Sequence, residues 1–227
     1  MPTDDQSKTL FSAKYNQHYH SIKGAMTESK YVFIESGLHW VRQILMDHKK
    51  DGTVIEQINC LEVGFGTGLN ALLSMLDQGI TNTLSIHYTA IEPSPVSQSI
   101  WEQLNYPNLE LFSRLHQSPW GQSVSILPTF TLYKVERVLS DFLERESATT
   151  DPIHLIYFDA FSPEALPELW SESIFAQLYS LMAPGGILVT YCAKGVVKTA
   201  LRSAGFQVQR LPGPPGKHHM LRAVKAS

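Results

Sequence analysis

Residues 58–70 read INCLEVGFGTGLN and carry the strongest architectural signal in the chain. Ile58–Val63 is an apolar run of strand length. The glycines at 64, 66 and 68 permit a tight turn in which a ligand can approach main-chain N–H groups. Beyond them, Leu69, Leu72, Leu73 and Leu76 recur at i, i+3, i+4 and i+7, which predicts an amphipathic helix closed by Gly79. Strand, glycine loop and helix in that order open a doubly wound α/β sheet. A dinucleotide fingerprint needs G-x-G-x-x-G, but position 69 is Leu and the spacing is G-x-G-x-G. Glu62 stands two residues before the first glycine, where a carboxylate suits a cationic or hydroxyl-bearing ligand better than a pyrophosphate. A plain strand-to-helix turn would use the same glycines.

Outward from this motif the chain keeps alternating. Upstream, Leu38, Val41 and Leu45 share a helical face over 38–48. Downstream, SIHYTAIE (85–92) reads as a second strand and 95–104 as a second helix. SVSILPTFTLYKVERV (123–138) predicts two short strands turning near Pro128 and Thr129. IHLIYFDAF (153–161) is a buried strand, and Ser171 caps a helix bearing Ile174, Phe175, Leu178 and Leu181. A PGG turn leads into ILVTYC (187–192), followed by a helix over 194–204. FQVQRL and HMLRAV then flank the loop PGPPGK with no helix between them, which predicts an antiparallel last strand. The rest of the sheet is expected to be parallel, with helices on both faces.

Ligands of such sheets bind beyond the carboxyl ends of the strands. Glu92 ends the second strand, 24 residues after Gly68, where a carboxylate can accept both hydroxyls of a ribose. A solvated strand-end acid is the plainer alternative. Together the loop and Glu92 point to an adenosine-containing cofactor, and the missing pyrophosphate spacing favours S-adenosylmethionine over NAD. Asp159, in Asp159-Ala160-Phe161-Ser162-Pro163, leaves an apolar strand for a loop. An acid there can orient an amine and accept its proton, or simply cap the turn. Pro163, Pro167 and Trp170 are expected to shape that loop.

At 227 residues, 43% apolar and 17% charged, the composition is that of one globular domain. No apolar run approaches the roughly 20 residues of a membrane span, and the N-terminus lacks the layout of a signal peptide. Two cysteines, Cys60 and Cys192, supply neither a disulfide framework nor a zinc site, so a cytoplasmic location is expected. His18-Tyr19-His20 and His218-His219 lack a second ligand set, so no metal is expected and these read as surface histidines. G-x-S-x-G and GK[ST] motifs are absent. The net charge of −3 hides an asymmetry, with the first 172 residues at −10 and the last 55 at +7. Lys194, Lys198 and Arg202 share one helix face and, with Lys217 and His218, form a candidate phosphate-binding surface. A solvated helix face is the alternative.

GFGTG, Glu92, LMAPGGILVTY (181–191) and an antiparallel last strand resemble class I S-adenosylmethionine-dependent methyltransferases. More narrowly, the chain is similar to the tRNA 5-methylaminomethyl-2-thiouridine methyltransferase family. The matching segments are Tyr19–Ser21, Gly24–Ala25, Glu28–Ser29, LEVGFGTGLN, FDAFSPEALPELW and LRSAGFQVQRLPGPPGKHHM. The resemblance implies a Rossmann-like methyltransferase that converts 5-aminomethyl-(2-thio)uridine to 5-methylaminomethyl-(2-thio)uridine at the tRNA wobble position. It implies S-adenosyl-L-methionine contacts from Glu62, Gly64, Phe65, Gly66, Thr67, Gly68, Asn70, Glu92, Asp159, Ser21 and Glu28. Asp159 and Phe161 are the implied catalytic pair, the latter stacking on an extruded base, and tRNA is expected on Lys194, Lys198, Arg202, Lys217 and His218. Residues 1–50 are expected as a lid packed on a 51–227 catalytic domain, and any FAD-dependent oxidase step is expected from a separate protein. Where the family carries Gly-Asp after the third strand, Arg137-Val138 stand here, leaving Glu136 or Asp141 as substitutes. A small-amine methyltransferase and a non-catalytic nucleic-acid-binding protein are the competing readings.

Overall fold

The computed structural model describes residues 1–49, 56–81, 84–146 and 151–226. The first 24 residues include a short hairpin, β1 (Phe11–Ser12) with β2 (Gln17–His18). A long helical segment follows: α1 (Ala25–Ser29), a π-helical stretch (Lys30–His39) and α2 (Trp40–Lys49). The helix predicted at 38–48 therefore begins some turns earlier. The boundary expected between residues 50 and 51 lies outside the described residues. Then come β3 (Gln57–Val63), α3 (Leu69–Thr81), β4 (Ser85–Ile91), α4 (Gln98–Trp101), α5 (Leu109–Gln117), β5 (Ser123–Leu127), β6 (Phe130–Val135) and α6 (Leu139–Glu146). The chain continues through β7 (Ile153–Phe158), a 3-10 turn (Pro167–Trp170), α7 (Glu172–Leu181), β8 (Met182–Thr190), α8 (Gly195–Ser203), β9 (Gln207–Pro212) and β10 (His219–Val224).

Eight strands form one sheet in the order β5-β6-β4-β3-β7-β8-β10-β9. The central five are parallel, whereas β10 is antiparallel to β8 and β9, and β5 is antiparallel to β6. The hairpin near Pro128 and the antiparallel last strand are thus both present. The helix expected over 95–104 is a single turn, and α5 was not anticipated, because Pro107 and Asn108 restart the helix. The Asn108 side chain accepts from Leu111 N to cap it.

One helical layer (α1 through α2, α3, α5) buries Phe33, Leu38, Leu72 and Phe112 on the sheet, and the other (α6, α7, α8) buries Phe142, Phe175 and Leu201. Gly37 lets the π-helical stretch press close, since a Cβ there would stand 3.1 Å from both Tyr157 and Val189 side chains. The start of α1 is capped from far away. Gly24 has no side chain to offer, so Asp5 accepts from Thr27 N and Oγ1 at 2.9 and 2.8 Å, fastening the N-terminal segment to the helix. No helix among the described residues is long and apolar enough to cross a membrane.

Candidate active site

Strand register assembles the site. Val63 pairs with both Ile91 and Phe158, so Gly64, Glu92 and Asp159, each one residue further on, emerge side by side at the carboxyl edge. Tyr157 pairs with Val189, which brings Tyr191 beside Asp159. Above this edge lies a cavity of about 910 Å³, large enough for a nucleoside-sized ligand.

The glycine loop is held by its neighbours. Gly64 N and Phe65 N donate to Ile91 O, and Gly66 N donates to Glu92 Oε2 at 3.0 Å. Gly64 has φ +92, and a Cβ on it would lie 2.6 Å from the Asp159 carbonyl oxygen, so only glycine fits. Beneath the loop, Asn70 Nδ2 donates to Glu62 Oε1 at 3.0 Å and to Asp159 Oδ2 at 2.8 Å. Burial pushes Glu62 well above the usual carboxylate range. Burial, then the Glu28 charge, push half-buried Asp159 up to about 7, against the opposing Asn70 hydrogen bond and Lys217 charge. Burial also raises Glu92, although N–H groups of Gly66 and Ser94 oppose the shift.

The N-terminal segment closes the cavity from above. Gln17 exchanges two hydrogen bonds with the chain after β7, donating to Ser162 Oγ at 2.7 Å and accepting from Ser162 N at 3.1 Å. Tyr15 and Tyr19 pack on Phe161 with ring centroids 4.5 and 5.1 Å apart. Glu28, 7% exposed, accepts from Ser21 N at 2.8 Å through Oε2 and forms an ion pair with Lys217 through Oε1. Trp170, buried, donates to Phe161 O at 2.8 Å and fixes the loop that carries it.

Several predicted residues sit elsewhere than expected. Ser21, Glu28, Gly64, Phe65, Gly66, Thr67, Asn70, Glu92, Asp159 and Phe161 line the cavity. Glu62 and Gly68 do not: Glu62 is fully buried behind Asn70, and Gly68 is a packing position where a Cβ would meet Leu115 at 2.8 Å. Lys217 is drawn off the expected tRNA-facing set into the cavity wall, its ammonium 4.1 Å from the Tyr191 ring centroid. Lys194 pairs with Glu164 at the rim, while Lys198, Arg202 and His218 lie outside the cavity. Arg222 stacks on Trp40, and Lys225 Nζ caps α7 through the Tyr179 carbonyl, so the C-terminal basic excess is largely spent on structure. His18 and His20 are not surface residues. Both line the cavity, and burial holds His20 down to about 4. Val138, Leu139 and Ser140 form the wall beyond β6, where Glu136 and Asp141 do not reach. Tyr15 and Gln17 escaped sequence reading because hairpin contacts across 145 residues leave no periodic trace.

The acid-lined cavity and glycine loop fit an adenosyl sulfonium. Glu62 Oε2, Asn70 Oδ1 and His20 Nδ1 are buried there without hydrogen-bond partners, as polar groups around a ligand would be. Comparison with known proteins agrees. A family model described as S-adenosyl-L-methionine-dependent methyltransferase matches residues 116–226. The tRNA 5-methylaminomethyl-2-thiouridine biosynthesis bifunctional protein MnmC of Pseudomonas fluorescens is 29% identical over 96% of this chain and 33% of its own length. Its Pseudomonas putida counterpart is 30% identical over 92% of the chain and 32% of its own. The chain thus spans about a third of the curated relatives it matches. The crystal structure of MnmC2 from Aquifex aeolicus shares the fold, with a TM-score of 0.82 at 24% identity over all of this chain and 70% of that one. The chain belongs to the S-adenosyl-L-methionine-dependent methyltransferases, in the MnmC methyltransferase-domain family.

Proposed function

We propose that this protein methylates the exocyclic primary amine of 5-aminomethyl-(2-thio)uridine at the wobble position of tRNA, in the cytoplasm. The observation that carries the reading is Asp159, half-buried at the cavity floor, oriented by Asn70 and poised to titrate near pH 7. S-adenosyl-L-methionine supplies the electrophilic methyl and a neutral thioether leaving group. Glu92 and the N–H groups of the glycine loop hold its adenosine end, and Asp159 orients the amine. The amine lone pair forms the new N–C bond as the S–C bond breaks, and Asp159 takes the proton released from nitrogen. Desolvation makes Asp159 a better base than a surface carboxylate, because its protonated form is the favoured one in the cavity.

Phe161, Tyr15 and Tyr19 form an aromatic wall beside Asp159, suited to stack on a uracil ring extruded from the anticodon loop. Lys198 and Arg202 on α8 form no ion pairs with described residues and are the cations best placed for tRNA phosphate. Residues before α2 act as the lid of the catalytic domain, and the pathway's oxidase step would come from an FAD-dependent partner. A second reading, methylation of a small free amine, draws support from the dispersal of the C-terminal basic residues. Methyl transfer from labelled S-adenosyl-L-methionine to tRNA from cells lacking this gene separates them. A 5-methylaminomethyl-uridine peak on nucleoside analysis is the expected result, and transfer to small amines but not to tRNA would favour the second reading.

A further inference from the structure

The cavity holds a feature that neither methyl transfer nor tRNA docking explains: an ion pair inside a ligand site. Glu28 projects from α1 and Lys217 from the PGPPGK loop, both line the cavity, and they meet one another there. Lys194 and Lys217 are the lysines of the cavity wall, and Lys194 is engaged at the rim by Glu164. Lys217 is therefore the cation that an anionic group inside the cavity would meet. Its loop is anchored, with Lys217 N donating to Pro214 O at 2.9 Å and Gly216 packed against the Lys23 stem. Glu28 is anchored too, by Ser21 N at 2.8 Å. Both charges are thus held in place by backbone contacts rather than by each other alone.

The pair belongs to the Asp159 end of the cavity. Glu28 and Lys217 both act on the Asp159 and His20 charges, and His20 Nε2 lies 3.4 Å from Thr67 Oγ1 of the glycine loop. Glu92 marks the other end. A ligand with its ribose at Glu92 would direct its amino-acid tail toward the glycine loop and this pair.

We infer that Glu28 and Lys217 form the receptor for the α-amino-carboxylate end of S-adenosyl-L-methionine, Lys217 taking the carboxylate and Glu28 the ammonium. The inference deepens the cofactor assignment and rests on it. The internal ion pair is exchanged for two bonds to the zwitterion, so neither buried charge is left unpaired in either state. Such exchange discriminates against adenosyl thioethers that lack the tail, or its carboxylate.

Calorimetry on the intact protein with three probes tests this: S-adenosylhomocysteine, its decarboxylated analogue, and 5′-methylthioadenosine, which has no amino-acid tail. Lys217→Met should weaken S-adenosylhomocysteine by about tenfold or more, the worth of a charge-assisted hydrogen bond, and leave 5′-methylthioadenosine unchanged. The decarboxylated analogue should lose far less. The Glu28→Gln/Lys217→Met double variant, free of an orphaned charge, should bind all three probes with nearly equal affinity. Equal losses on every probe would make the pair structural and overturn the inference. Unchanged S-adenosylhomocysteine binding with weakened tRNA binding would return Lys217 to the tRNA surface and overturn it as well. Failure of the unaltered protein to bind any probe would instead remove the cofactor assignment beneath it.

Discussion

Replacing Asp159 with Asn should stop turnover and, near neutral pH, stabilise the protein. The side chain leaves β7 for a cavity floor where burial and the Glu28 charge raise its pKa from 3.8 to about 7. In the unfolded chain the carboxyl ionises near 3.8, so between pH 4 and 7 the unfolded state gives up a proton that the folded state retains. For a carboxyl raised by folding, stability therefore falls as pH rises through that window and levels off above 7. Each unit of displacement is worth about 1.4 kcal/mol, so the roughly three units here set a ceiling of about 4 kcal/mol. Water entry and the partial exposure of the side chain reduce this to an expected gain of about 1–2 kcal/mol for Asp159→Asn at pH 8. For a chain of this size, that corresponds to a rise in Tm of about 2–8 °C. Asn keeps the shape and can still accept from Asn70 through its amide oxygen. The assay is urea unfolding of both proteins from pH 4 to 8. The gap should close as pH falls toward 4, while 5′-methylthioadenosine binding persists. A variant less stable at pH 8, or a gap that ignores pH, would refute the argument that Asp159 is held as a desolvated acid.

Asp5→Ala removes the remote cap of α1 and should cost about 1–2 kcal/mol by thermal melting. Burial opposes ionisation of Asp5, but donors from Ser7, Thr3 and Thr27 outweigh it and hold its pKa low. Its stabilising effect should thus be present above pH 4 and fade as pH falls further, and a loss equal at pH 3 and 7 would contradict this. Gly64→Ala forces a Cβ to within 2.6 Å of the Asp159 carbonyl at a φ of +92, so methyl transfer should fall at least about 100-fold, measured with the circular dichroism spectrum retained. Lys198→Glu with Arg202→Glu should weaken tRNA binding and make its log–log salt slope shallower by about 1.5. An unchanged slope would show that this face of α8 meets only solvent.

Local sequence carried much of the architecture. INCLEV and IHLIYF are apolar on both sides, as central parallel strands must be, and GFGTG needs positive φ values that only its glycines adopt without strain. Phe130 and Ser123 flank a turn legible from Pro128 and Thr129, and Ser171 announces its helix by capping Ile174 N. Glu92 and Asp159 could be read as strand-end acids because the edge of a parallel sheet follows from strand order alone. What could not be read locally was everything set by distant contacts. Helix α5 depends on Asn108 in a left-handed conformation, and α1 depends on Asp5, twenty-two residues before the Thr27 it caps.

By itself, then, the sequence determined the strand–loop–helix that receives the adenosyl group and the acids at its edge, because backbone sterics and burial periodicity act over a few residues. Tertiary structure alone decided the charges. Seven C-terminal cations looked like one basic surface, yet Lys217 turns inward to Glu28, Arg222 lies on Trp40, and Lys225 caps α7. The lid was equally hidden, since Gln17 finds Ser162 only after the chain has folded back over 145 residues. An ammonium or carboxylate is drawn to whichever opposite partial charge lies within a few ångströms, and that neighbour is chosen by the fold rather than by position along the chain.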